Sequence, residues 1–185
     1  GKMIQNYKVK GSVYDAKLNL FNKKKINNIS FNFDIDEKKY LIKNSKIEYE
    51  KLNFTSKNIR IHKEKKYFLF EGDISNSLSK INLNIFNDFF KNNLNNLNLE
   101  NLELSSDNSF SFRLENKFKV SNLKINSNTK VKNLNYLIKD YRFKEYFPDY
   151  DNSITLSEHS IQISIDKRKI NIKGSGNFSL AKEID

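Results

Sequence analysis

The chain has 185 residues, enough for one domain of ordinary size or two small ones. It contains no cysteine, which excludes disulfides and thiolate metal sites, and no apolar run approaches the roughly 20 residues that span a bilayer as a helix. A hydrophobic content of 37% and an aromatic content of 13% exclude uniform disorder.

The net charge of +11 is compatible with a nucleic-acid or an anionic-lipid partner. The basic residues are dispersed, however, and their short runs at 23–25, 65–66 and 167–169 fall where turns between strands are expected. Heavy joint use of Lys, Asn and Ile is also typical of an AT-rich genome. We therefore interpret the basic runs as solvated turns and edge protection rather than as a binding surface.

The first third of the chain alternates between apolar and polar residues, which is the period of a half-buried strand. Tyr7 to Leu20 indicates one long strand or a strand pair, and Phe31, Phe33 and Ile35 lie on one face of the next strand. The following alternating segments are short. They are Tyr40–Ile42, Ile47–Tyr49, Leu52–Phe54 and Ile59–Ile61.

After a strand at Tyr67–Ile74, alternation returns at Ile81, Leu83 and Ile85. Apolar residues then follow helical spacing, which predicts a short helix from about Phe86 to Asn95. Parity switches between Leu99 and Leu102, and again between Val120 and Leu123, predict β-bulges.

A second helix is predicted from Leu134, ending before Pro148. The aromatic and basic segment Tyr141–Phe147 is interpreted as a plug over the sheet end rather than a base-stacking surface. The closing pair of strands contains Ile161, Ile163 and Ile165, then a basic turn, then Ile170 and Ile172.

One pattern recurs three times: an apolar residue, a charged one, Gly, a polar one, and then the next position of the apolar face. It occurs at Val9–Val13, Phe70–Ile74 and Ile172–Gly176. Gly11, Gly72, Gly174 and Gly176 therefore lie on apolar faces inside strands. A glycine there marks a bend, a bulge or the close approach of another group.

These elements predict a mainly β fold of a dozen or so strands with one or two short helices. The strands would form a curved antiparallel sheet, either an open groove or a sandwich. No linker composition divides the chain, so residues 1–185 are expected to form a single β-rich domain, a segment of a larger protein.

No catalytic or metal constellation is apparent. His62 lies on the polar side of its strand, and His159 is at the start of another. Neither has a metal-ligand spacing, and we expect both to face solvent. There is no G-x-S-x-G elbow, and Asp149 and Asp151 lack the glycine and the distal glutamate of a calcium loop. We expect no enzyme activity, no metal and no cofactor.

Two stretches show the alternating strand pattern most clearly, one from Phe31–Ile35 through Tyr67–Ile74 and one from Ile161 through Leu180. Together they resemble the AsmA-like superfamily, the AsmA, YhdP and TamB type of repeated β-groove envelope protein. The resemblance implies a β-groove with a hydrophobic interior that carries phospholipid acyl chains in lipid transport or outer-membrane biogenesis. It further implies a periplasmic location and an inner-membrane anchor in the parent protein, outside this chain. Expected partners are phospholipid acyl chains, the membrane surface and other envelope proteins.

Two alternatives stay open: a closed β-sandwich that serves as a structural or protein-interaction module, and, less favoured, a basic nucleic-acid-binding domain. For the groove, the sequence predicts an apolar lining. The lining residues are Phe31, Phe33, Ile35, Ile81, Leu83, Phe110, Phe112, Ile161, Ile163 and Ile165. The small residues Gly11, Gly72, Gly174 and Gly176 would leave room for a chain or permit strong curvature.

Overall fold

The structure, a computed structural model, describes residues 7–19, 25–81, 98–137, 143–146, 148, 153–167 and 169–179. Nine strands account for nearly all of them. They are β1 Lys8–Asn19, β2 Lys25–Asp36, β3 Lys39–Tyr49, β4 Leu52–Lys63, β5 Tyr67–Lys80, β6 Asn98–Glu115, β7 Val120–Leu137, β8 Ser153–Asp166 and β9 Lys169–Ser179. A four-residue α-helix, α1, spans Phe143–Tyr146, and a 3-10 turn spans Asn116–Phe118.

The nine strands form one sheet in the order β1 to β9, and each strand is antiparallel to its neighbours. The sheet is open, with β1 and β9 as its two edges. This confirms the predicted mainly β, antiparallel fold. Because consecutive strands are neighbours, the turns after β2, β4, β6 and β8 all lie at the same end of the sheet.

The described strands form a single layer. Within the described ranges, only strands adjacent in the sheet contact each other extensively. The chain exposes 14441 Å² of surface, whereas a compact monomer of 21.9 kDa is expected to expose about 9,300 Å². Of the two predicted architectures, the strands therefore form the open sheet and not a two-layer sandwich.

The register places apolar side chains in rows across the sheet, on what we call the apolar face. One row crosses all nine strands. It consists of Gly11, Phe33, Ile42, Ile59, Gly72, Phe110, Ile125, Ile165 and Ile170. The only fully buried hydrophobic residues described lie toward the other end of this face, at Leu52, Ile81, Leu102 and Val131.

A line of irregularities crosses the middle of the sheet and keeps the apolar face continuous. Asp15, Asn28, Asn44 and Glu158 have positive φ, and apolar parity switches beside each of them. Neighbouring irregularities are adjacent: the Asp15 amide donates to the Ser30 hydroxyl at 3.0 Å, one strand across. We call this feature the bulge line, and β-bulges of this kind bend a sheet.

The bulge line explains the main error in the predicted elements. Asn44 interrupts the alternation of β3 without ending the strand, so segments predicted as separate short strands are two halves of one. β4 continues in the same way from Leu52 to Lys63. In the described part of the chain, nine long strands therefore replace the predicted dozen.

The bulges predicted near Leu99 and Leu123 are confirmed by register shifts between β6 and β7. The helix predicted from Leu134 is wrong at its start, because β7 continues as a strand to Leu137. The helix predicted at 86–95 lies outside the described residues.

Candidate functional site

The predicted lining residues lie on the apolar face in three separate strands. Phe31, Phe33 and Ile35 are in β2, Phe110 and Phe112 in β6, and the three isoleucines Ile161, Ile163 and Ile165 in β8; all are half-buried. Ile81 is buried at the end of β5, and Leu83 lies outside the described residues. These groups share one surface, although the strands between them keep them from forming a single contact cluster.

The centre of the apolar face is aromatic and includes residues that the predicted lining omitted. The rings of Phe70 and Phe112 are parallel, with centroids 4.8 Å apart and an interplanar angle of 4°. Phe110 lies beside Phe112, at 6.0 Å between centroids. Phe70 has the parity of Gly72 in β5, so the alternation that identified Phe110 could also have identified Phe70.

Two glycines of the apolar face lie beneath aromatic rings of the neighbouring strand. A Cβ on Gly11 would lie 2.5 Å from Phe33 Cζ, and one on Gly72 would lie 3.1 Å from Phe110 Cζ. Rings therefore fill the space that these glycines leave. Glycine with a cross-strand aromatic residue over it is an established way to stabilise a curved sheet.

The other two glycines differ from this pair. A Cβ on Gly174 would meet only Ser160 O at 3.5 Å and Ile161 Cγ1 at 3.8 Å, so its surroundings are open. Gly176 lies against the ring and Cα of His159, which leave no space for a side chain. This close approach is next to the β8 part of the bulge line.

His159 was expected to face solvent, but it is half-buried on the apolar face. It pairs with Val131 of β7, and its Nδ1 lies 3.0 Å from the carbonyl oxygen of Ser157. The parity switch at Glu158 causes the difference, because it turns the next residue inward. His62 pairs with Leu69 on the opposite, polar face, as expected.

Small polar residues cross the apolar face near the bulge line. Asn76 is 5% exposed and its Nδ2 donates to Leu104 O at 3.4 Å, while Ser127 and Thr129 hydroxyls lie 3.1 Å apart. The Asn108 amide donates to Ile74 O at 2.9 Å. This polar strip separates an apolar field at the turn end from the buried cluster at the other end, and the alternation along single strands does not reveal it.

On the polar face, positive and negative side chains alternate from one strand to the next. One row across it reads Lys10, Asp34, Leu41, Arg60, Glu71, Ser111, Lys124, Asp166 and Lys169. Lys10 is 3.6 Å from Asp34, and Lys124 is 3.5 Å from Asp166. Positive charge therefore does not accumulate along this row.

The turn after β2 is organised by Asp36. Its carboxylate accepts the backbone amides of Lys38 at 3.0 Å and Lys39 at 2.7 Å. The Lys38 bond and then the Lys39 bond hold the pKa of Asp36 below its ordinary value, aided by the charges of Lys39 and Lys8. The group is exposed and its role is to shape the turn.

Among the described residues, no group of three or more His, Cys, Asp or Glu side chains converges to hold a metal ion. No helix within the described part of the chain has the length and apolar character that crossing a membrane requires.

Comparison with protein-family models, curated proteins and solved structures finds no match to this chain. Its function must therefore be inferred from its own geometry.

Proposed function

We propose that the apolar face binds the acyl chains of lipids and that the protein is a non-catalytic lipid-binding or lipid-conducting segment of an envelope protein. The observation that carries this proposal is a continuous apolar row across nine strands, over which the described residues form no second layer. The resemblance to AsmA-like proteins supports the same reading, with a role in phospholipid transport or outer-membrane biogenesis.

The energetics favour an apolar occupant. Half-buried residues such as Phe33, Ile125 and Ile163 retain apolar surface in contact with water. Covering such surface contributes roughly 25 cal/mol per Å², and each buried methylene of an acyl chain contributes about 0.8 kcal/mol. Contiguous exposed apolar surface commonly marks a binding site on a protein.

The direction of the strands also suits a long ligand. Strand β6 has 18 residues, and at about 3.3 Å per residue it extends for roughly 60 Å. The apolar rows repeat along that length and pass the polar strip only at the bulge line. An extended acyl chain can therefore contact several rows at once.

The test is native mass spectrometry with lipid extraction, followed by titration with a phospholipid that carries a fluorescent acyl chain. Wild-type protein is expected to retain phospholipid. The double substitution Phe112→Ser and Ile163→Ser should weaken binding of the fluorescent lipid by on the order of tenfold or more, since both remove apolar contact area.

Leu69→Ser is the matched control, because Leu69 is half-buried on the polar face of β5. It removes an apolar side chain of similar size and should leave lipid binding unchanged. Folding of each variant is checked by circular dichroism. Equal affinity in wild type and a folded double variant would refute the proposal.

A further inference from the structure

One end of the sheet carries an excess of exposed lysine. The turns after β2, β4, β6 and β8 meet there, and we call their exposed basic and aromatic residues the turn rim. Its members are Lys38, Lys39, Lys65, Lys66, Lys117, Phe118, Lys119, Lys167 and Lys169.

The acidic residues at this end are Asp36, Glu37, Glu64, Glu115 and Asp166. Three of them already have a hydrogen-bond or ion-pair partner nearby. Asp36 accepts two backbone amides, Asp166 pairs with Lys124, and Glu115 accepts the Ser121 hydroxyl. None of the rim lysines forms an ion pair with a described residue. The eight rim lysines outnumber the five acidic residues at this end, so the rim carries a net positive charge.

Phe118 projects from the tip of the β6–β7 turn. Its side chain is 87% exposed, and both Phe118 (φ 57°) and Lys117 (φ 61°) have left-handed backbone. A bulky residue rarely adopts this conformation, which costs on the order of 1 kcal/mol or more. An aromatic ring is thus held in solvent at a conformational cost, with lysine on both sides.

A concavity of about 340 Å³ lies between this turn and the turn after β4. Lys65, Lys66 and Lys117 border it, together with Glu64 and Glu115, of which Glu115 accepts the Ser121 hydroxyl. Phe68, Leu114 and Phe118 supply apolar surface. Lysine ammonium groups next to an apolar floor suit a phosphate headgroup with its first methylenes.

We propose that the turn rim docks on an anionic lipid bilayer, with Phe118 inserted below the headgroups and the surrounding lysines on the phosphates. The inference builds on the proposed lipid-binding function, because docking at this end would set the apolar field of β5 to β8 against the bilayer. Lipid could then pass onto the apolar face without crossing water. Basic residues beside an exposed aromatic ring are typical of interfacial membrane binding.

The chain contains no tryptophan, so Phe118→Trp introduces a single tryptophan as the fluorescent probe. With vesicles of phosphatidylcholine and 30% phosphatidylglycerol we expect a blue shift and quenching by brominated acyl chains. Tyr14→Trp, at a position that is 75% exposed in β1, is the matched probe and should show neither. Equal spectra for both probes with and without vesicles would overturn the proposal.

The charge contribution is tested by flotation of the same vesicles. Lys65→Ser, Lys66→Ser and Lys117→Ser together should weaken binding on the order of a hundredfold, and 1 M salt should abolish it. The control triple Lys46→Ser, Lys57→Ser and Lys130→Ser removes the same charge from exposed positions away from the rim and should retain binding.

Two other outcomes separate this inference from its alternatives. Rim-dependent binding to a single-stranded oligonucleotide, with no spectral shift on vesicles, would assign the rim to nucleic acid and overturn the proposal. If the control triple variant also lost vesicle binding, the overall charge and not the rim lysines would account for binding, and the proposal would be overturned. Lipid retained by the apolar face in a protein that does not bind vesicles would leave the proposed function standing while this inference fails.

Discussion

Within the strands, the residues with a left-handed backbone conformation are Asn, Asp and Glu, whereas the glycines are extended. Asp15, Asn28 and Asn44 carry positive φ, and none of the described glycines does. Asn and Asp tolerate the left-handed region better than other non-glycine residues because their short side chains bond locally. Glycine is used instead where a neighbouring group comes too close for a Cβ, as at Gly72.

Gly72→Ala should therefore destabilise the protein by about 1–3 kcal/mol, because the new Cβ would lie 2.9 Å from Asn58 O, a backbone atom. Gly174→Ala should be neutral or stabilising by up to about 1 kcal/mol, because its site is open and its φ suits alanine. Urea unfolding of both variants measures the difference. Equal urea midpoints for the two variants would contradict this explanation of why glycine occupies position 72.

The turn carboxylate gives a pH dependence of known sign. The pKa of Asp36 is lowered from its ordinary value of 3.8, so its contribution to stability is present above pH 3.8 and is lost as the pH falls through the lowered value. NMR titration of the Asp36 carboxyl carbon should show a midpoint below 3.8. Asp36→Asn should show a smaller loss of stability over the same acid range, and an unchanged acid profile would argue against this role.

At the scale of elements, the two sheet edges differ. β1 carries Lys8, Lys10 and Lys17 and is bent by the bulge at Asp15, which are common protections against further strand pairing. β9 also carries Lys169 and Lys173, but it exposes Ile170 and Ile172 at 62% and 66%, more than Val9 and Leu18 of β1 at 48% and 49%. An exposed edge strand with apolar side chains is a template for another strand.

We therefore expect association through β9 that increases with protein concentration. Ile172→Lys should reduce it by placing a charge on the open edge, as measured by sedimentation velocity. Val9→Lys in β1, where Val9 is 48% exposed, is the control and should have little effect. Association that responds to Val9→Lys but not to Ile172→Lys would place the contact at the other edge.

At the scale of the whole molecule, the single layer predicts an extended shape. A compact chain of this length has a radius of gyration of about 16 Å. The surface of 14441 Å² indicates a larger value, which small-angle scattering of a dilute sample measures directly. A value near 16 Å would mean that the sheet closes on itself in solution.

Much of this architecture was predictable from the sequence, because the two-residue alternation of a strand shows which residues share a face. It identified Phe33, Phe110 and Ile165, which the register places in one row. It could not distinguish a strand end from a bulge, because both appear as a parity switch, as at Asn44. Leu134 and Leu137 imitate helical spacing because apolar residues occur on both sides of β7 near its end.

The turn rim was not predictable for a different reason. Each basic run is short and resembles an ordinary solvated turn. Only the up-and-down strand order brings Lys65, Lys117 and Lys167 to the same end. The polar strip of Asn76 and Thr129 depends in the same way on register between strands that are distant in sequence.

The up-and-down order has a consequence for how the protein folds. Since each strand pairs only with the strands before and after it, the sheet behaves as a one-dimensional array in which stability is approximately a sum of nearest-neighbour terms. Folding can nucleate at any hairpin and propagate outward, as in solenoid proteins. Unfolding should then proceed strand by strand from the edges, and hydrogen exchange should be slowest around the central strand, β5.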